Sequence, residues 1–234
     1  MNSLREIFLD PPSTAEQPRV TPIRARMGQR TQQKTVAPFS SLHNEQIHAL
    51  VQQLFFRNES KPVRHVGFAP LETSTATATL CLQVATVLAE EGRYDVALID
   101  AHTGPAVLQT ELPIASPSHG EKSWPLAPRL WMVPRQSWLP EASEQRVSDE
   151  NLSLLRETAA EFDFSILWCA PMSWLTASIG RACDGLVLVL AADRTRRIVA
   201  AHIKEQLTKA QVPLLGSVLA GRHFPVPAGL YQRL

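Results

Sequence analysis

The stretch from His65 to Ala89 constrains this chain more than any other. An apolar run, Val66-Gly67-Phe68-Ala69, leads into Pro70-Leu71-Glu72-Thr73-Ser74-Thr75-Ala76-Thr77-Ala78-Thr79 and then into an apolar helical segment, Leu80 to Leu88. Strand, loop and helix follow at the spacing of a nucleotide-binding loop, yet this loop holds neither glycine nor lysine. The architecture and the chemistry that normally accompanies it have come apart.

Other segments repeat the alternation of strand and helix. Ile47, Leu50, Val51, Leu54 and Phe55 form an i, i+3, i+4, i+7, i+8 stripe, which predicts an amphipathic helix from about Leu42, ended by Asn58 and Pro62. Val96-Ala97-Leu98-Ile99-Asp100 reads as a buried parallel strand ending in an acid. Seven prolines between Gly104 and Pro140 forbid a long helix and predict a surface excursion around one short strand, Arg129 to Val133. Ser148 caps a helix whose first turn carries Asp149 and Glu150 and whose inner face carries Leu152, Leu155, Ala159 and Phe162. Strands follow at Phe164–Cys169 and Gly185–Ala191, then a helix from about Thr195 to Ala210 with Val199, Ile203 and Leu207 inward, then a strand at Leu214–Leu219. Such alternation specifies an α/β fold with a doubly wound, mainly parallel sheet flanked by helices. Residues 41–234 are expected to form a single domain of this kind. Residues 1–40 are rich in Pro, Gln, Thr and Arg and read as a disordered tail, basic in its second half. A solvated linker is the default there, against docking on an acidic partner or a membrane.

Composition excludes several function classes. The 234 residues carry 23 basic and 22 acidic side chains, a net charge of +1 that makes no case for nucleic acid. Cys81, Cys169 and Cys183 sit apart in apolar runs and read as buried thiols. The seven histidines show no metal-ligand spacing, so no metal is expected. No run approaches a membrane span and no signal-peptide pattern opens the chain, so the expected location is cytoplasmic, without direct membrane insertion.

Residues from about 42 to 234 resemble the P-loop ATPases of the MinD/ParA group and, more narrowly, the bacterial tyrosine kinase (BY-kinase) and CpsD/CapB-type proteins of capsule and exopolysaccharide synthesis. The resemblance rests on Glu45-Gln46-Ile47-His48-Ala49-Leu50, the unit at 66–89, and Val96-Ala97-Leu98-Ile99-Asp100-Ala101. It continues in Phe162-Asp163-Phe164-Ser165-Ile166-Leu167, similar to the family's YDYVIID, and in Cys183-Asp184-Gly185-Leu186-Val187-Leu188-Val189 with Thr195-Arg196-Arg197. Leu214-Leu215-Gly216-Ser217-Val218-Leu219 closes it. Six pieces stand in family order at family spacing.

The departures from the family pattern are as ordered as the matches. Where the family has Gly-Lys-Ser/Thr-Thr, an ungapped alignment places Ala76, Thr77, Ala78 and Thr79, and the earlier loop glycine falls on Ser74. The Asp-x-Asp strand end becomes Asp100-Ala101-His102, the Walker B aspartate becomes Trp168, and the base-recognising asparagine becomes Ala220. The Glu-x-x-Arg-x-x-Arg assembly motif becomes Glu45, His48 and Val51, and the C-terminal tyrosine cluster reduces to Tyr231. Glycines let backbone N–H groups turn inward around phosphate, whereas β-branched Thr73, Thr75 and Thr77 resist that conformation at about 1–3 kcal/mol each. Without the lysine only the helix N-terminus offsets phosphate charge, and magnesium loses both its hydroxyl and its strand carboxylate. Phosphoryl transfer rests on positioning and charge stabilisation, so little remains to catalyse with.

Each candidate residue has two readings. Asp100 is either a vestigial site acid or a strand-end cap for the next turn, the cap being the default. Ser74, Thr75, Thr77 and Thr79 either hold a small non-nucleotide ligand with Asp100 or satisfy backbone groups at a helix start, again the default. His102 reads as a solvated loop histidine. Arg194, Arg196 and Arg197 follow a strand's C-terminal end, where such sheets bind ligands, and are a partner contact or a charged helix start. The five tryptophans cluster between Trp124 and Trp174; they suggest a partner surface, but Trp168 is expected to fill the empty nucleotide site.

The resemblance therefore implies a catalytically inactive partner or regulator in exopolysaccharide or capsule synthesis and export, with no catalytic residues and no cofactor. Its partner would be a membrane polysaccharide chain-length (Wzz-like) protein or an intact kinase paralogue, recruiting it to the inner membrane. Contact surfaces would be the helix at 42–57, with Glu45, His48 and Val51, the Trp/Pro-rich excursion, and Arg196 with Arg197. A monomer or dimer is expected rather than the family's ring. The competing reading is an active ATPase or tyrosine kinase using ATP and magnesium through an unorthodox loop. A MinD/ParA-like positioning factor is a third, for which the ending Ala228–Leu234 is too short and glycine-broken to supply a membrane helix.

Overall fold

The computed structural model describes residues 41–57, 62–72, 75–91, 93–103, 108, 112, 122–139, 147–192 and 194–220. The expected tail at 1–40, the loop residues Thr73 and Ser74, most of the proline-rich excursion and the ending 221–234 with Tyr231 lie outside them.

Seven strands form one sheet: β1 (His65–Pro70), β2 (Val96–Ala101), β3 (Trp124–Ala127), β4 (Leu130–Val133), β5 (Phe164–Cys169), β6 (Gly185–Ala191) and β7 (Leu214–Ala220). Their order is β3-β4-β2-β5-β1-β6-β7, and every pairing is parallel except β3 with β4. The central strands bury both faces, which explains their near-continuous apolar sequence. On one face α1 (Ser41–Val51) and α2 (Thr75–Glu90) cover Val66, Phe68, Leu98, Ile166 and Trp168. On the other, α3 (Asp149–Ala160), α4 (Trp174–Ala182) and α5 (Arg197–Lys209) cover Ala69, Ile99, Leu167 and Leu188. The sheet is doubly wound.

Local chemistry sets the element ends. Ser148 Oγ accepts from the Asn151 N–H and the Asn151 side chain accepts from the Ser148 N–H, a reciprocal cap on α3. α1 runs on through a π turn, Gln52–Phe56, which aims Phe55 and Phe56 at Phe164 with ring centroids 5.4 and 5.8 Å apart, both edge-on. The excursion differs from expectation, since it contains two strands. β3 pairs antiparallel with β4 across a tight turn in which Arg129 takes φ of 61°. α4 was not anticipated at all: Ser173 caps it by accepting from the Thr176 N–H at 3.2 Å.

Candidate functional site

The C-terminal ends of β1, β2, β5 and β6 lie side by side at the edge where α2 begins. Doubly wound sheets bind ligands at this edge. β1 leaves it tied down: the Pro70 carbonyl accepts from the Met172 N–H at 2.9 Å, and the Leu71 N–H donates to the Val189 carbonyl at 3.2 Å. The first amide after the strand is thus spent on the neighbouring strand and is not turned towards an anion.

α2 follows with its first turn facing inward. Thr77, at the lysine position, is fully enclosed, and its hydroxyl has no hydrogen-bond partner among the described residues. It is the third helical residue, so no helical carbonyl lies four residues back to accept from it. Ala78, at the magnesium-hydroxyl position, is fully enclosed too, while Thr79 is half-buried and Ala76 exposed. The side chain of Thr75 lies outside the described residues, as does Ser74.

One row across four strands occupies the floor. Register places Asp100 of β2 beside Trp168 of β5, Trp168 beside Phe68 of β1, and Phe68 beside Val187 of β6. Phe68, Trp168 and Val187 belong to the core on the α2 face. Trp168 is 3% exposed. The His102 ring stacks on it, with centroids 4.5 Å apart and planes 25° from parallel. His102 is therefore not the solvated loop histidine the sequence suggested: the flat indole gives its imidazole a buried seat. The resemblance aligns both positions of this aromatic pair with acids.

Asp100 lies at the end of this row and is buried. Its Oδ1 accepts from the His102 N–H and its Oδ2 from the Leu108 N–H, both at 3.0 Å. Its backbone carbonyl accepts from Trp138 Nε1 at 2.8 Å, and Arg135 Nη1 donates to the His102 carbonyl at 3.0 Å. Burial pushes its carboxyl up to about 6, against the opposing pull of the Leu108 and His102 amides and the Arg135 guanidinium. Both oxygens hold the chain beyond β2, and the carboxylate presents nothing to solvent. Arg135, which sequence reasoning did not single out, and Trp138, which it counted only among the clustered tryptophans, close this edge.

The expected contact residues separate. Glu45 and His48 are exposed on α1, but Val51 is fully buried and packs in the core, so it contacts no partner. Its position on the stripe with Phe55 explains why. Trp124 and Trp138 are buried as well, which removes them from a partner surface; Trp174, 70% exposed, lies on α4 outside the excursion. Arg196 caps α5 and Arg197 opens it, both exposed. Val199, expected inward, is 44% exposed, because α5 packs chiefly through Leu207. Ala220 ends β7, its carbonyl accepting from the Ala192 N–H at 3.0 Å. Among the described residues no cluster of His, Cys, Asp or Glu could hold a metal, and no helix is long and apolar enough to cross a membrane. Cys81 and Cys169 are buried free thiols whose ionisation burial pushes upward.

No protein-family model and no curated protein sequence matches this chain. Solved structures do. The kinase domain of the Escherichia coli tyrosine kinase ETK superposes with a TM-score of 0.64 over 80% of this chain and 80% of its own, at 17% identity. The chimerical protein CapA2B2 gives 0.62 over 80% of this chain and 86% of its own, at 16% identity. The septum site-determining protein MinD from Pyrococcus horikoshii, complexed with Mg-ADP, gives 0.55 over 73% and 76%, at 16% identity. The chain has the α/β fold of these kinase domains and of MinD.

Proposed function

We propose that this protein is a catalytically inactive relative of the bacterial tyrosine kinases, a partner or regulator in exopolysaccharide or capsule synthesis and export. The stacked Trp168–His102 pair carries the reading, because it is buried and aromatic at positions that the resemblance aligns with acids. The enclosed Thr77 and the fully engaged Asp100 point the same way, since neither can meet a phosphate or a magnesium ion. Likeness of fold to the kinase domain of ETK is consistent with this reading.

A protein of this kind works by contact. Its partner is the cytoplasmic part of a Wzz-like chain-length protein or an intact kinase paralogue, and it needs neither ATP nor magnesium. Calorimetry with ATP–Mg²⁺ tests this directly. No heat of binding is expected; affinity tighter than about 100 μM, roughly −5.5 kcal/mol, would restore the enzyme reading.

A further inference from the structure

The two edges of the sheet are unequal. β3 is four residues long and contains Pro125, both ordinary protections against pairing with another chain. β7 is seven residues long, Leu-Leu-Gly-Ser-Val-Leu-Ala, with no proline and no charge. Among the described residues no strand pairs with its outer side. An open groove of about 790 Å³ runs beside it, between β6, β7 and α5. Small residues create the space: Ala200 and Ala201 on the helix, and Ser217 on the strand, level with Leu188 on the face that α5 covers. Ile198, Val199 and Leu219, 77%, 44% and 51% exposed, stand at the end of the sheet where α5 begins and β7 finishes. The charged residues lining the groove are Arg197 and Lys204, and neither makes an ion pair among the described residues. β6 and β7 carry no charge, and the acid on α5, Glu205, is paired with Lys209 at 2.7 Å.

We infer that the β7 edge and this groove receive an extended, acidic segment of a partner protein as an eighth strand. Main-chain hydrogen bonds to β7 would supply register, alternate apolar side chains would enter beside Ser217 and Leu219, and carboxylates would meet Arg197 and Lys204. The inference rests on the contact-based function proposed above, and it gives that function a place and a partner chemistry.

Two labelled decapeptides test it on the full chain by fluorescence anisotropy, one alternating glutamate with leucine, the other lysine with leucine. The acidic peptide is expected to bind and to weaken as salt is raised, and the basic one not to bind. Arg197→Glu with Lys204→Glu should weaken the acidic peptide by about tenfold or more. Ser217→Tyr, which puts bulk on the strand face that lines the groove, should do the same while the circular dichroism spectrum is unchanged. Absence of acidic-peptide binding, equal binding of both peptides, or affinity indifferent to both variants would overturn the inference. So would a dimer broken by Ser217→Tyr, which would assign the edge to a second copy. ATP binding would sink the proposed function and leave these outcomes readable by themselves.

Discussion

Asp100 brings a carboxylate into a place that disfavours its charge, and the sign of the consequence can be worked out. Folding raises its pKa from 3.8 to about 6. The native state thus holds the proton more tightly than the unfolded chain. The stability this group contributes is complete below the unfolded value and is lost as pH rises through about 6. A rise of this size corresponds to about 3 kcal/mol across that window. Asp100→Asn keeps the shape and removes the titration. Urea midpoints of both proteins at about pH 4 and about pH 7 should differ in their pH slope, the natural protein losing relatively more on going up. Identical slopes would show that the carboxyl does not titrate in this window. The position of Asp100 at a strand end was legible in the sequence, as was the place of Trp168 within a strand. The burial of His102 was not, because its stacking partner comes from a distant strand that only the sheet register brings alongside.

Among the elements, those readable in advance were those whose signals agree. β1, β2, β5, β6 and β7 are predominantly apolar runs, each broken by at most one polar residue, and α3 has its serine cap and acidic first turn. β3 hid because four residues including a proline carry almost no periodicity. α4 hid because it is nine residues long with a glycine inside it. Gly180 explains why that glycine is there. A Cβ on it would stand 2.6 Å from Leu186 Cγ and 2.8 Å from Val212 Cγ1, so the glycine lets the helix approach β6. In an open helix, Gly→Ala adds up to about 1 kcal/mol of stability. Here overpacking reverses the sign, and Gly180→Ala should cost about 1–3 kcal/mol, read as a lower denaturant midpoint. A raised midpoint would mean that α4 stands further from the sheet than these distances say.

At the scale of the whole molecule, the question is what holds copies of this chain together. The assembly motif that the resemblance implies would put arginines at two α1 positions after Glu45. Here the first is His48, exposed, and the second is Val51, fully buried against the core. The geometry of the stripe makes this more than a missing charge: a guanidinium at 51 would have to enter the cluster around Phe55, Phe68 and Leu88. α1 has therefore become a core element with one face turned inward, and its outward face keeps Glu45 without arginine partners. The unprotected β7 edge is the other surface open to pairing, and the inference above gives it to a partner segment rather than to a second copy. Light scattering of the full chain should give a mass near 25.9 kDa, or about twice that, at any concentration where it stays soluble. His48→Arg should leave the mass unchanged, because one restored guanidinium still lacks its companion at position 51. A mass several-fold higher, lost on mutating Glu45, would show that α1 drives ring assembly without arginines and would return this chain to the oligomeric behaviour its resemblance implies.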